Sequence, residues 1–324
     1  MPVCRHLHLI VQSLCVGVVG FSCLALAAQQ PAELVYRLSF PAPQHRWLEV
    51  NVEFSDLMNE PLQVRMSSAS PGRYARHEFS KNIIDIAFTG AEGSMVIVEQ
   101  RGAAHWEVKD HEGAVYVQYR IFGDRIDGTY FGVDSTHAHL NLPSILLWAE
   151  GLEARSARVV LTPPPGELDW KVATQLFPTS DPLIFTAPNL GYLLDSPIEY
   201  GPFSMRTFNV QDPEDSDYQP SFRVAVHHNG TSEELDLFTE SIEQVVRETV
   251  TIFGEFPRFE TGAYTFIADY LPTANFDAME HRNSTVLTAN RGIGSPVDRT
   301  NRLGSVAHEF FHAWNVERIR PRSL

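Results

Sequence analysis

Beyond residue 23 the sequence has no cysteine. Cys4, Cys15 and Cys23 are the only three in 324 residues. With that first segment set aside, the chain can form no disulfide, and any metal it binds must be held by His, Asp or Glu. Positive charge is also scarce: 25 Lys and Arg against 40 Asp and Glu leave a formal net charge of −15. Neutralising phosphates takes the opposite balance, so nucleic acid is excluded as a partner, as is simple adhesion to anionic lipid. There is no tandem repeat and no low-complexity tract, which excludes a repeat array.

The apolar share, 44%, is enough for a sizeable core, and the length suggests two domains. The start, "LIVQSLCVGVVGFSCLALAA", is an apolar run after Arg5 that ends in Ala25-Leu26-Ala27, an A-x-A cleavage pattern. We expect residues 1–27 to be a signal peptide, with an uncleaved membrane anchor as the alternative, and the rest to be periplasmic or secreted. Ser22-Cys23 makes a poor lipoprotein site, because Gly20 stands where a Leu is wanted.

From Ala32 to about Tyr200 the pattern is that of strands. "LVYRLSF", "WLEVNVEF", "LQVRMSS", "SMVIVEQ", "AVYVQYRIF" and "ARVVLTP" are short, β-branched and aromatic, and many alternate apolar with polar. Pro and Gly clusters separate them. The expectation is a mainly β amino-terminal domain over 32–204, built as a sandwich of antiparallel sheets. "QDPEDSDYQP" (Gln211–Pro220) is a loop or boundary. Beyond it, "FRVAVHH", "AYTFIADYL" and "STVLTA" read as strands. Ser232–Gly254 reads as a helix with Ser232 as its cap, and a last helix runs from Asp298 or Arg299 to about Arg318. This second part, 205–324, is expected to be an α+β domain cut short.

The last helix carries His308, Glu309 and His312 as H-E-x-x-H. Residues i and i+4 share a helix face, so both imidazoles can reach one ion. Glu309, rotated by ~100°, sits beside it as a general base. The pattern arises by chance in a chain of this composition on the order of a few per cent of the time, and the bland alternative is a pair of structural histidines. The site residues are therefore His308 and His312 as zinc ligands and Glu309 as the catalytic base. The places where a metzincin has its Gly and third His hold Asn315 and Arg318. Glu317, nine residues after His308, would face the opposite side of a continuing helix, roughly 180° away. A third ligand would then lie past Leu324.

"HEFFHAWNVERIRP" (His308–Pro321) resembles the zinc helix and following segment of the glycyl aminopeptidase family of metallopeptidases, family sixty-one, with Glu317 where a Lys is common. "ASPGRYARHEF" (Ala69–Phe79), "YLLDSPIEYG" (Tyr192–Gly201) and "DAMEHRNST" (Asp277–Thr285) are similar to other segments of that family. The resemblance implies an amino-terminal β domain, a thermolysin-like zinc peptidase domain of gluzincin type and, in complete members, a PDZ domain. It implies removal of small amino-terminal residues, Gly or Ala, from peptide substrates. It also implies a substrate-binding role for Glu280, which would pair with the free α-amino group. Asp277 and Ala278 replace smaller, more flexible residues usual there, and Pro71, Gly72 and Tyr74 are expected to shape a turn of the β domain. On this reading the chain is an amino-terminal fragment, inactive alone. The rival reading is a secreted β-sandwich binding module with a vestigial peptidase tail.

Overall fold

The computed structural model describes residues 32–166 and 169–320. The expected signal peptide lies outside the described residues. Among those described, no helix is long and apolar enough to cross a membrane.

Seven strands form the largest sheet, in the order Phe177–Pro178, Ile184–Ala187, Ala157–Thr162, Leu34–Ser39, Trp47–Phe54, Val115–Phe122 and Ile83–Gly90. Trp47–Phe54 shows why such a stretch becomes a strand. Leu48, Val50, Val52 and Phe54 are buried while the residues between them are half-buried, as the two-residue period of a pleated strand requires. A four-stranded sheet (Leu147–Ala149, Leu62–Met66, His105–Lys109, Ile97–Gly102) shares the same hydrophobic core. The expectation of purely antiparallel sheets is corrected at one pair: Leu34–Ser39 runs parallel to Ala157–Thr162. More than a hundred residues separate those strands, so no short turn constrains their direction. A further sheet joins Lys171–Thr174, Ile198–Gly201, Ala138–Leu140 and Gly132–Val133.

The fourth sheet runs Ser204–Asn209, Ser221–His228, Ala263–Tyr270, Ser284–Thr288 and Asp277–His281. Its three central strands are parallel and its two outer pairs antiparallel. A crossover helix, Ser232–Phe253, links the first parallel pair, as parallel strands need. It buries Leu235, Phe238, Ile242 and Val246 on one face. Its cap is Thr231 and not the expected Ser232: the Thr231 hydroxyl accepts from Glu234 N, and the Glu234 side chain returns to Thr231 N. Gly254, at φ 87°, ends the helix in the left-handed conformation. This part has its own hydrophobic core, drawn from Val210 to Trp314.

The last helix is Pro296–Phe311, shorter than expected. The α pattern is lost there: the N–H groups of His312, Ala313 and Trp314 donate three residues back, to Glu309 O, Phe310 O and Phe311 O, and Glu317 N donates five back, to His312 O. The chain folds into overlapping turns from His312.

Candidate metal centre and amino-terminus site

Ser295 opens the last helix by accepting from Asp298 N, with Pro296 in the first turn. Val306, Phe310 and Ala313 are buried. Phe310 meets Phe222, Tyr264 and Phe266. Trp314 stacks on Phe253 at 4.5 Å, and its indole N–H donates to Glu255 O at 2.9 Å. Packing on that side leaves His308 exposed and His312 half-buried on the other.

The two imidazoles converge, with Nε2 of His308 and Nε2 of His312 3.3 Å apart. The His312 Nδ1–H donates to Asn315 O at 2.7 Å. That bond fixes the tautomer and leaves Nε2 with its lone pair aimed at His308, the arrangement of a metal-bound histidine supported by a backbone carbonyl. The residues present fit a zinc ion. Among the described residues, only Glu309 brings a carboxylate within 4.8 Å of both imidazoles. Glu309 is 6% exposed, and burial, then the charge of Glu280, raises its pKa to about 7. A cleft of about 400 Å³ opens beside it, lined by Phe276, Asp277, Ala278, Gly304, Ser305 and His308.

Glu317 is not in the group of close ligand atoms formed by His308, Glu309 and His312. It belongs to the turns after the helix, near Asp195, Arg320, His281 and Arg282, and shares a second cleft with Asp195 and Glu260.

Glu280 lies on Asp277–His281, the outermost strand of the fourth sheet, whose free edge can pair with an extended peptide. The strand is tied down at both ends by residues of the first 200. At one end, Asp277 pairs with Arg73 and accepts from Gly128 N at 3.0 Å. At the other, Asp195 meets His281 Nδ1 and accepts from Arg282 N, at 2.9 and 3.0 Å. Gly72 is more than a turn residue. Its φ is 72°, and a Cβ there would lie 2.9 and 3.0 Å from the Glu280 carboxylate oxygens and collide with Met279 Sδ. Tyr74 is fully exposed. Nothing in the residue pattern near 70 links it to residue 280, 200 positions away, so the anchoring roles of Gly72, Arg73, Gly128 and Asp195 escape sequence reasoning.

Residues 35–202 match the peptidase M61 N-terminal domain, and residues 301–324 match the M61 glycyl aminopeptidase. The first match alone covers more than half of the chain, which therefore belongs to the M61 peptidase family. The fold is shared with an aminopeptidase N family protein of Idiomarina loihiensis, at 23% identity and TM-score 0.76, over 90% of this chain and 49% of that one. It is also similar to Legionella pneumophila aminopeptidase A in complex with aspartic acid, at 11% identity and TM-score 0.56, over 90% and 35%. The chain thus spans about half the length of the Idiomarina protein. No curated protein sequence matches it.

Proposed function

We propose that this chain carries the zinc helix and the amino-terminus-reading strand of a metalloaminopeptidase acting on peptides with small first residues, Gly or Ala. The carrying observation is the pair of Nε2 atoms 3.3 Å apart, one tautomer pinned by a carbonyl, with a buried carboxylate beside them. His308 and His312 would hold one zinc ion, which supplies Lewis acidity that lowers the pKa of water and polarises a carbonyl. Glu309 takes the proton of the attacking water and returns it to the leaving amine. Its burial makes it more basic than a surface carboxylate, and a cation beside it would draw its pKa back down. Glu280 pairs with the substrate's α-amino group while the free strand edge holds the backbone in register. That pairing limits cleavage to the first bond.

The division into 32–204 and 205–324, the signal peptide and the periplasmic or secreted location belong to the same reading. With two imidazoles as the metal's neutral donors, the chain alone is expected to hold zinc weakly at this helix and to turn over no peptide. Two assays test this. Zinc uptake by the purified chain is expected to fall in His312→Ala; uptake equal to the parent's sinks the assignment. Joined to the carboxy-terminal half of the Idiomarina protein, the chain is expected to hydrolyse glycyl-p-nitroanilide, with Glu309→Gln reducing kcat by about 10²–10⁴.

A further inference from the structure

Outside the H-E-x-x-H helix, the seam between the third and fourth sheets buries a second set of ionisable side chains. His137, His139 and Glu199 come from the third-sheet side, His227 and Asp269 from the fourth. His137 and His139 are 1% exposed, Glu199 and Asp269 0%. His137 Nε2 lies 2.9 Å from Asp269 Oδ2, His139 Nδ1 2.9 Å from Glu199 Oε2, and His227 Nδ1 3.0 Å from Glu199 Oε1. A Cβ at Gly201 would stand 2.7 Å from His137 Cβ and 3.1 Å from His227 Cε1, so glycine there keeps room for both rings.

Bonds on the far side of two rings fix their protons. His139 Nε2 meets Asp127 O at 3.2 Å, and a carbonyl only accepts, so Nε2 holds the hydrogen and Nδ1 is left facing Glu199. Thr136 gives its hydroxyl hydrogen to Asp134 at 2.5 Å, so its oxygen accepts from His137 Nδ1–H at 2.8 Å, and Nε2 is left facing Asp269. As neutral rings, both set a lone pair against a carboxylate oxygen at 2.9 Å. Each contact therefore calls for a cation.

Two protons would supply it but leave Asp269 Oδ1, which is buried and has no hydrogen-bond partner, still without a donor. A divalent ion held with His139 Nδ1 and Glu199 gives the second Asp269 oxygen a use, while a protonated His137 donates to the first. The far N–H of His139 already rests on Asp127 O, as in metal-bound histidines. Ligand atoms of His139, Glu199 and Asp269 all lie within 4.8 Å of one another, as do those of His137, Glu199 and His227; the two triads share Glu199.

We propose that this seam is a structural site for one divalent transition ion of the zinc class, with His139, Glu199 and Asp269 as its ligands. His139 and Glu199 belong to the third sheet and Asp269 to the fourth, so the ion staples the two sheets together. The proposal is independent of the peptidase reading, and its test removes the H-E-x-x-H pair.

The test is elemental analysis of the full chain carrying His308→Ala and His312→Ala, loaded with zinc and dialysed. One zinc per chain is expected, and none overturns the proposal in favour of two buried protons. Adding Glu199→Gln or Asp269→Asn is expected to lower the content at least tenfold; a variant folded by circular dichroism that keeps its zinc also overturns it. Should those variants fail to fold, zinc-edge X-ray absorption on the double-alanine chain decides. A first shell of nitrogen and oxygen with imidazole scattering is expected, and a shell without imidazole contradicts the assignment.

Discussion

His312 becomes a candidate ligand through its backbone surroundings as much as through its place in the motif. The carbonyl of Asn315 takes its Nδ1–H and turns Nε2 toward His308. Gly72 is the matching case beside Glu280. Gly72→Ala would force a side chain into a left-handed conformation and against Met279 and Glu280. It is expected to destabilise the chain by about 1–2 kcal/mol from the backbone conformation alone, read as a lower denaturant midpoint. An unchanged midpoint would show that the turn has slack. The histidines and Glu309 were legible because helical spacing is a local property. Gly72 and Arg73 were not, because their meaning depends on a strand 200 residues away, and the residues nearby predict only a turn.

Among elements, the strands most clearly read in the sequence were those with one buried face, such as Trp47–Phe54. Ile83–Gly90 was missed: its exposed residues are not in alternation, and its register shifts between Ile84 and Ala87. The long helix was legible in period and stop, and its cap missed by one residue because Thr231 and Ser232 both suit that position. Thr231→Ala is expected to cost about 1 kcal/mol in urea unfolding, and Ser232→Ala much less; equal costs would refute the observed cap. The last helix was read as too long because the sequence period continues where the backbone bonds have already changed to donors three and five residues on from their acceptors. Its anchor is Phe310, fully buried among four aromatic rings. Phe310→Ala is expected to cost about 3–5 kcal/mol, measured by the same unfolding, and a loss under 1 kcal/mol would mean that the last helix is held some other way.

At the scale of the whole molecule, the β-rich first part and the α+β second part were legible from strand and helix periods, and the peptidase family from its motifs. The ties between them were not. Glu260 illustrates one group with a consequence for pH. Burial alone would raise its pKa, but hydrogen bonds from Arg282 and Asn283 bring it below the ordinary 4.5. A depressed carboxylate contributes stability above the ordinary value, lost as pH falls through the folded one. The stability gap between the chain and Glu260→Gln is therefore expected to be flat from pH 6 to 8 and to shrink as pH falls below about 4.5. A gap that widens on acidification would reverse the sign of the interaction.

Zinc calorimetry on the intact chain and on the chain carrying His308→Ala and His312→Ala bears most directly on the two converging imidazoles. The intact chain is expected to take up one zinc ion more than the variant, in a weak and separable step. Equal stoichiometry in the two proteins would contradict the assignment of the H-E-x-x-H helix as a metal centre.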